Sequence, residues 1–518
     1  MKRIFSVFAV LLLCLSFAGC NRAARSTGER SSFVSPDPDY AQHDLGEQMT
    51  INIFFFSNTD APDLPEILEL ANSRYFRPTI NAQIDLVLVP TANRATLYPL
   101  ILAGGEDVDL IFTAPWHLYD EEASKGSFVE LTDDFRNRYM PKSQRSQLAI
   151  SWEQARTQGK IYGVPSSRTG YDYKYAVIRE DLKEKYNLPF IDSWSTLERY
   201  AFTVSRNEQG VPAYNTAATT WELMNVYMES RNILLTTQPV YFAWYNRGVD
   251  PEPQELHFMY TSEWYSDYIR EMRRWMDAGC WSRNVMNNNV PVRDAFVQGR
   301  SGAVFWNASV FNIGTTMEEN GHGKAGWYDA APNALVRRMS FNNNMFAVAS
   351  NSDRPGRSAM VLDLIKNDVE LNRLLRNGIE GRHHIRPTPT TYVLGPESTR
   401  YPNGFWTWAF EFPGDLSQAW TDTTPPRQIE LQGILDARIT DITMDGFRVN
   451  LADFQTEWAV INALIEEYRP SFECGVFGAQ TEDKITEFQN RLRVAGIDKV
   501  TQSVRSQYTD YMRRMRGR

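Results

Sequence analysis

From residue 50 onward, apolar runs of strand length alternate with stretches of helical spacing. Residues 50–57 predict a buried strand, 64–75 a helix through Leu64, Ile67, Leu68 and Ala71, and 84–89 a second strand. Strand, helix, strand implies a right-handed crossover within a parallel sheet. The pattern repeats with a helix over 97–103, the turn Gly104-Gly105 and a strand over 108–113 that opens onto Ala114-Pro115-Trp116-His117. Further on, a strand near 160–165 precedes one at 173–179 and a helix at 180–186. Residues 238–253, aromatic and bounded by prolines, predict a loop or hairpin. A helix over 262–278 carries Trp264, Tyr268, Met272 and Trp275 and ends at Gly279; a strand over 301–306 ends on Trp306-Asn307. After about residue 377 the alternation stops, and from 444 the spacing is helical, with segments near 452–467, from 481 and from 499.

The first twenty residues have a different pattern. Lys2 and Arg3 precede an apolar stretch from Ile4 to Phe17, then Ala18-Gly19-Cys20, which is the layout of a bacterial lipoprotein signal. The stretch is too short for a membrane span. Cleavage before Cys20 would leave a lipidated cysteine and a protein tethered to a membrane surface. Residues 21–48 are rich in Ser, Arg, Pro and Asp, which predicts a flexible tether. With 63 acidic and 54 basic residues the net charge is -9, which disfavours binding to a nucleic-acid backbone. Beyond the leader only Cys280 and Cys474 remain, enough for one disulfide at most, so packing must hold the fold together. Aromatic residues at 13%, with 14 tryptophans, exceed ordinary usage, and some of that surplus points to a binding surface rather than a core.

Several local motifs, in order and spacing, resemble the extracellular solute-binding proteins of bacterial ABC importers, sugar type. Val108-Asp109-Leu110-Ile111-Phe112-Thr113 followed by Gly126-Ser127-Phe128-Val129-Glu130-Leu131 resembles the strand and ligand loop of that family. Lys160-Ile161-Tyr162-Gly163-Val164-Pro165 resembles its first interdomain crossing, and 295–304 its return segment. Gly378-Ile379-Glu380-Gly381-Arg382-His383-His384, with 444–448 and 495–500, is similar to a long lipoprotein subgroup that has an extra C-terminal domain of unknown role. The resemblance implies a two-lobed α/β periplasmic-binding-protein fold of type II: signal peptide 1–19, lipidated tether 20–48, lobe I from 49–164 and 294–337, lobe II from 165–293 and 338–443, and a helical module 444–518 packed on lobe II. It also implies a monomer outside the cytoplasm, anchored through Cys20, that binds a carbohydrate in an interlobe cleft and serves an ABC permease, with no cofactor and no enzymatic activity.

Sugars present apolar C–H faces and a rim of hydroxyls, so their sites combine flat aromatic rings with paired hydrogen-bonding groups. Ligands of open sheets bind beyond strand ends. Those two rules select Trp116 and His117 after the strand over 108–113, Tyr171 and Tyr173 after the first crossing, and Trp306 with Asn307 after the strand over 301–306. Trp406 and Trp408, following the turn Asn403-Gly404, would share a face if extended and offer a stacking platform from lobe II. For each there is a plainer alternative: a buried aromatic or a turn cap. Adjacent His383 and His384 point to opposite faces of a strand and lack a completing ligand set, so no metal is expected. A surface carbohydrate-active enzyme remains an alternative, although no nucleophile elbow, zinc-binding helix or phosphate-cradling loop is present. An adhesion or signalling lipoprotein is a third reading.

Overall fold

A computed structural model describes residues 33–91, 94–104, 107–167, 170–216, 220–236, 240–282, 284–411, 417–419, 424–440 and 443–516. The leader and Cys20 lie outside the described residues. Two hydrophobic cores organise the rest, one for each lobe of an α/β fold.

The first core surrounds a five-stranded sheet in the order Ala82–Val89, Met49–Phe56, Leu110–Thr113, Met345–Val348, Gly163–Pro165. The first three strands are parallel, joined by helical crossovers as the strand–helix–strand spacing predicts. The last two run antiparallel to their neighbours. Helix Pro355–Asn367 crosses behind this sheet and is buried almost all round, which explains its lack of a strong amphipathic stripe. In the second lobe, the strands Ala303–Trp306, Tyr175–Arg179 and Ala325–Tyr328 form an antiparallel sheet, and Phe242–Tyr245, from the expected loop or hairpin, pairs with Ile233–Leu235 in a second one. Helix Glu263–Asp277 begins where Ser262 accepts a hydrogen bond from the Tyr265 N–H and ends before Gly279, whose φ of +77° favours a residue without a Cβ.

Three expectations about chain layout change. The strand Ala303–Trp306 pairs with Tyr175–Arg179, so residues 294–337 belong to the second lobe. Residues 345–410 belong to the first, because Met345–Val348 fills the gap between Leu110–Thr113 and Gly163–Pro165. The segment 295–304 is therefore internal to lobe II, and the second crossing falls at 339–344. The expected tether also ends earlier, since residues 33–48 are folded onto lobe I. Tyr40 is buried and donates to Asp363 (2.8 Å), Leu45 enters the core, and the buried Arg357 guanidinium takes the Ile80 carbonyl (2.6 Å) and the carbonyls of Asp44 and Glu47. A buried cation needs acceptors, and this polar segment supplies them from its backbone.

The C-terminal helices Gln455–Glu473, Thr481–Val494 and Ile497–Arg516 share the core of lobe II, with Trp458, Phe472, Phe488 and Tyr508 in the same cluster as Tyr265 and Trp275. Cys280 and Cys474 remain free and buried, and burial pushes both thiols up to about 12, which keeps them unreactive.

Candidate ligand-binding site

Two described passages of the chain between the lobes meet at Ser166. The Ser166 N–H donates to the Phe341 carbonyl (2.9 Å) and the Ser167 N–H to the Glu411 carbonyl (2.9 Å), while the Ser167 hydroxyl donates to Gln147 (2.7 Å). Two polar residues after Pro165 thus tie the first two crossings to each other and to the lobe I segment that ends at Glu411.

Beside these crossings, the first-lobe sheet ends in aromatic rings. Phe55 and Phe112, from neighbouring parallel strands, meet edge to face with centroids 5.3 Å apart. Trp116 lies 5.6 Å from Phe112, and Trp408 lies 5.6 Å from Phe112 and 5.2 Å from Phe55. A tight turn, in which the Ala114 carbonyl accepts from the His117 N–H (2.8 Å) and the Tyr119 N–H (3.1 Å), turns the Trp116 indole out of the core. Its Nε1 donates to the Asn343 carbonyl in the second crossing (2.6 Å), which fixes the ring while leaving it partly exposed. Trp408 remains 37% exposed on the short 3-10 turn Trp408–Phe410. Two indoles with exposed surface therefore flank one buried phenyl ring at the carboxyl ends of parallel strands, where such sheets bind ligands.

The second lobe presents one comparable ring. Trp306 ends its strand opposite Tyr175, at the end of the sheet where the chain arrives from the first crossing, and stays half-buried. The Asn307 side-chain oxygen accepts from the Ser309 N–H (3.0 Å) as helix Val310–Glu319 begins. Arginines cover two of these three indoles: Arg94 lies 5.3 Å from the Trp116 ring and Arg293 4.8 Å from that of Trp306.

The remaining sequence candidates fall elsewhere. His117 is buried among Phe56, Tyr98 and Phe112, and burial, aided by the nearby Arg94 charge, holds its imidazole at about 3, so the ring is neutral. Tyr173 is buried with its hydroxyl bonded to Asp329, below the Arg438 guanidinium. Trp406 is wholly buried in lobe I, and its Nε1 donates to the Tyr401 hydroxyl (3.0 Å). The segment after Gly404 is a succession of turns rather than a strand, so Trp406 and Trp408 do not share a face, and both belong to the first lobe rather than the second. These three side chains are packing residues. The backbone of Tyr171 pairs with Arg338; its side chain lies outside what is described. Sequence reasoning missed Phe55, Arg94, Arg293 and Asn343. Only the run Phe54-Phe55-Phe56 at a strand end carried a signal. His383 pairs with Asp63 at 3.0 Å, and among the described residues no group of three or more His, Cys, Asp and Glu is placed to hold a metal.

Two lobes joined by crossings of the chain, with aromatic rings at the strand ends beside them, define a class, the bacterial solute-binding fold. Solved structures bear this out. The N-glycan transport solute-binding protein NgtS of Streptococcus pneumoniae, in complex with Man1GlcNAc, is similar with a TM-score of 0.66 at 15% identity, over 90% of this chain and 100% of that one. The alginate-binding protein AlgQ2 gives a TM-score of 0.64 at 16% identity, over 89% and 98%. An ABC-transporter-associated solute-binding protein of Bifidobacterium longum infantis that binds HMO gives 0.56 at 12%, over 90% and 99%. No curated protein matches the sequence. Residues 443–513 match the family described as a domain of unknown function, DUF3502. The chain thus has the fold of the sugar-binding proteins of bacterial ABC importers, completed by a C-terminal DUF3502 domain.

Proposed function

We propose that this protein captures an oligosaccharide between its lobes and delivers it to an ABC permease. The observation that carries this reading is the pair of partly exposed indoles, Trp116 and Trp408, held around Phe112 beside the crossings, with Trp306 on the opposite lobe. Flat rings of this kind accept the C–H faces of successive pyranose units. The solved proteins of the same fold include ones bound to Man1GlcNAc and to cycloalternan, which supports a ligand of several sugar units.

A ligand that touches both lobes gains its full contact only when the lobes close, so binding shifts the population toward the closed form. Taking a hinge from 1:99 to 99:1 requires about 5.5 kcal/mol of differential affinity, within reach of several hydrogen bonds and stacked rings. Lipid attachment at Cys20 would hold the receptor at the membrane, and no helix among the described residues is long and apolar enough to cross one.

Calorimetric titration of the purified protein with an oligosaccharide panel tests the reading, together with small-angle scattering. Binding accompanied by a smaller radius of gyration is the expected result; a consumed ligand, or no binding across the panel, would overturn it. Labelling with radioactive palmitate in cells should depend on Cys20 and vanish in Cys20→Ala.

A further inference from the structure

The arginines on the rim tryptophans define the charge of the ligand, provided that these rings bound the site as argued above. Arg94 is half-buried, and burial alone acts on its guanidinium, drawing it below its ordinary value with no carboxylate contributing. Among the described residues it makes no ion pair, and the titratable group beside it, His117, is neutral. Arg293 is exposed over Trp306 and likewise has no ion-pair partner among the described residues.

Several acids at the strand ends of the second lobe and the crossings are already engaged, whereas Asp294, exposed next to Arg293, has no ion pair among the described residues. Asp329 accepts from Arg438 (2.7 Å), Tyr173 and the Ala331 N–H (2.9 Å); Glu222 pairs with Lys174 (3.3 Å) and Glu411 with Arg376 (3.8 Å). In a chain with more acidic than basic residues, Arg94 thus stands without an anion, while Arg293 is offset in part by its sequence neighbour Asp294. A guanidinium lying on an indole has its apolar face covered and its N–H edge directed outward, the arrangement that receives a carboxylate through two parallel hydrogen bonds. A neutral sugar would stack on the indoles but leave the half-desolvated Arg94 without an anion.

We propose that the oligosaccharide bound by this protein is anionic, with sugar carboxylates received by Arg94 from the first lobe and Arg293 from the second. Stacking and ion pairing then act on one sugar unit together: the ring meets tryptophan and the carboxylate meets the adjoining arginine. The long-range field of an acidic protein opposes such a ligand, so the local cations must outweigh it at contact distance.

Hexuronic-acid oligomers, sialylated oligosaccharides and their carboxyl-reduced neutral counterparts, titrated into the whole protein, give the test. At least one carboxylated ligand should bind about tenfold or more tighter than its reduced form, and raising the salt from about 0.05 to about 0.5 M should erode that preference. Arg94→Gln should collapse the ratio of acidic to neutral affinity. The exposed Arg293→Gln, which leaves both cores untouched, should reduce it as well, and melting temperatures would verify folding. Equal affinity for both members of a pair overturns the anionic ligand, and a ratio that survives both substitutions overturns its reception by Arg94 and Arg293, while in either case the oligosaccharide reading stands. Failure of both classes to bind overturns the two together.

Discussion

Side chains a few residues apart separate binding surface from core, and substitution should divide them cleanly. Trp116→Ala removes a partly exposed indole, so it should weaken oligosaccharide binding by about tenfold or more, roughly 1.4 kcal/mol, with little change in melting temperature. Trp406→Ala removes a wholly buried one and should destabilise the protein by about 3–5 kcal/mol, as measured by denaturant unfolding. His117 makes a prediction about pH. Its imidazole titrates at about 3 in the folded protein against 6.5 ordinarily, so between those values the unfolded chain holds a proton that the native one lacks. Its contribution to stability is complete above pH 6.5 and is lost as pH falls toward 3, with a slope approaching about 1.4 kcal/mol per pH unit. Chemical denaturation across that range should show a shallower acid slope in His117→Gln. Trp116 was legible in the sequence because it follows a strand beside a proline. His117 was not, since nothing in the order of residues tells whether a ring beside an exposed neighbour turns inward.

At the scale of elements, the sequence periods identified most strands and helices, but pairing decided where they went. The strand at 303–306 could serve either lobe by its apolar pattern; only its antiparallel register with Tyr175–Arg179 places it in the second. The motif Gly378-Ile379-Glu380-Gly381-Arg382-His383-His384 shows the same limit, for His383 and Arg382 form a clasp to the distant Asp63. His383 accepts the Ile379 N–H on Nδ1 (2.9 Å) and meets Asp63 through Nε2 (3.0 Å), while Arg382 and Arg400 also pair with Asp63 at the start of helix Leu64–Ala71. Gly378 adopts φ +73° and ψ -154°, a region nearly restricted to glycine, and any Cβ there would strike the His383 ring. Gly378→Ala should therefore cost about 2 kcal/mol or more, read as a lower denaturant midpoint with an unchanged slope.

For the whole molecule, the decisive question is whether the C-terminal domain is an appendage. Its helical spacing was evident, but the surface that receives it was not, because a helix face does not name its partner. Helix Gln455–Glu473 packs along helix Glu263–Asp277, and Gly475 approaches the backbone of Met272 and Arg273 so closely that a Cβ would collide with it. Glu473, fully buried, accepts from the Thr220 hydroxyl (3.0 Å), and burial raises its carboxyl above the ordinary carboxylate range. Deleting residues 444–518 would uncover Tyr265, Tyr268 and Met272 and leave Thr220 without its acceptor. At about 1.5–3 kcal/mol for each large apolar side chain uncovered, that loss is comparable with the 5–15 kcal/mol by which domains are usually stable. The shortened protein should consequently aggregate or lose the cooperative melting of the second lobe, while the first lobe, whose core includes no residue beyond Phe410 among the described residues, keeps its own transition. A deletion variant that stayed soluble, melted like the parent and still bound ligand would show the domain to be a detachable module, in contradiction to the shared core.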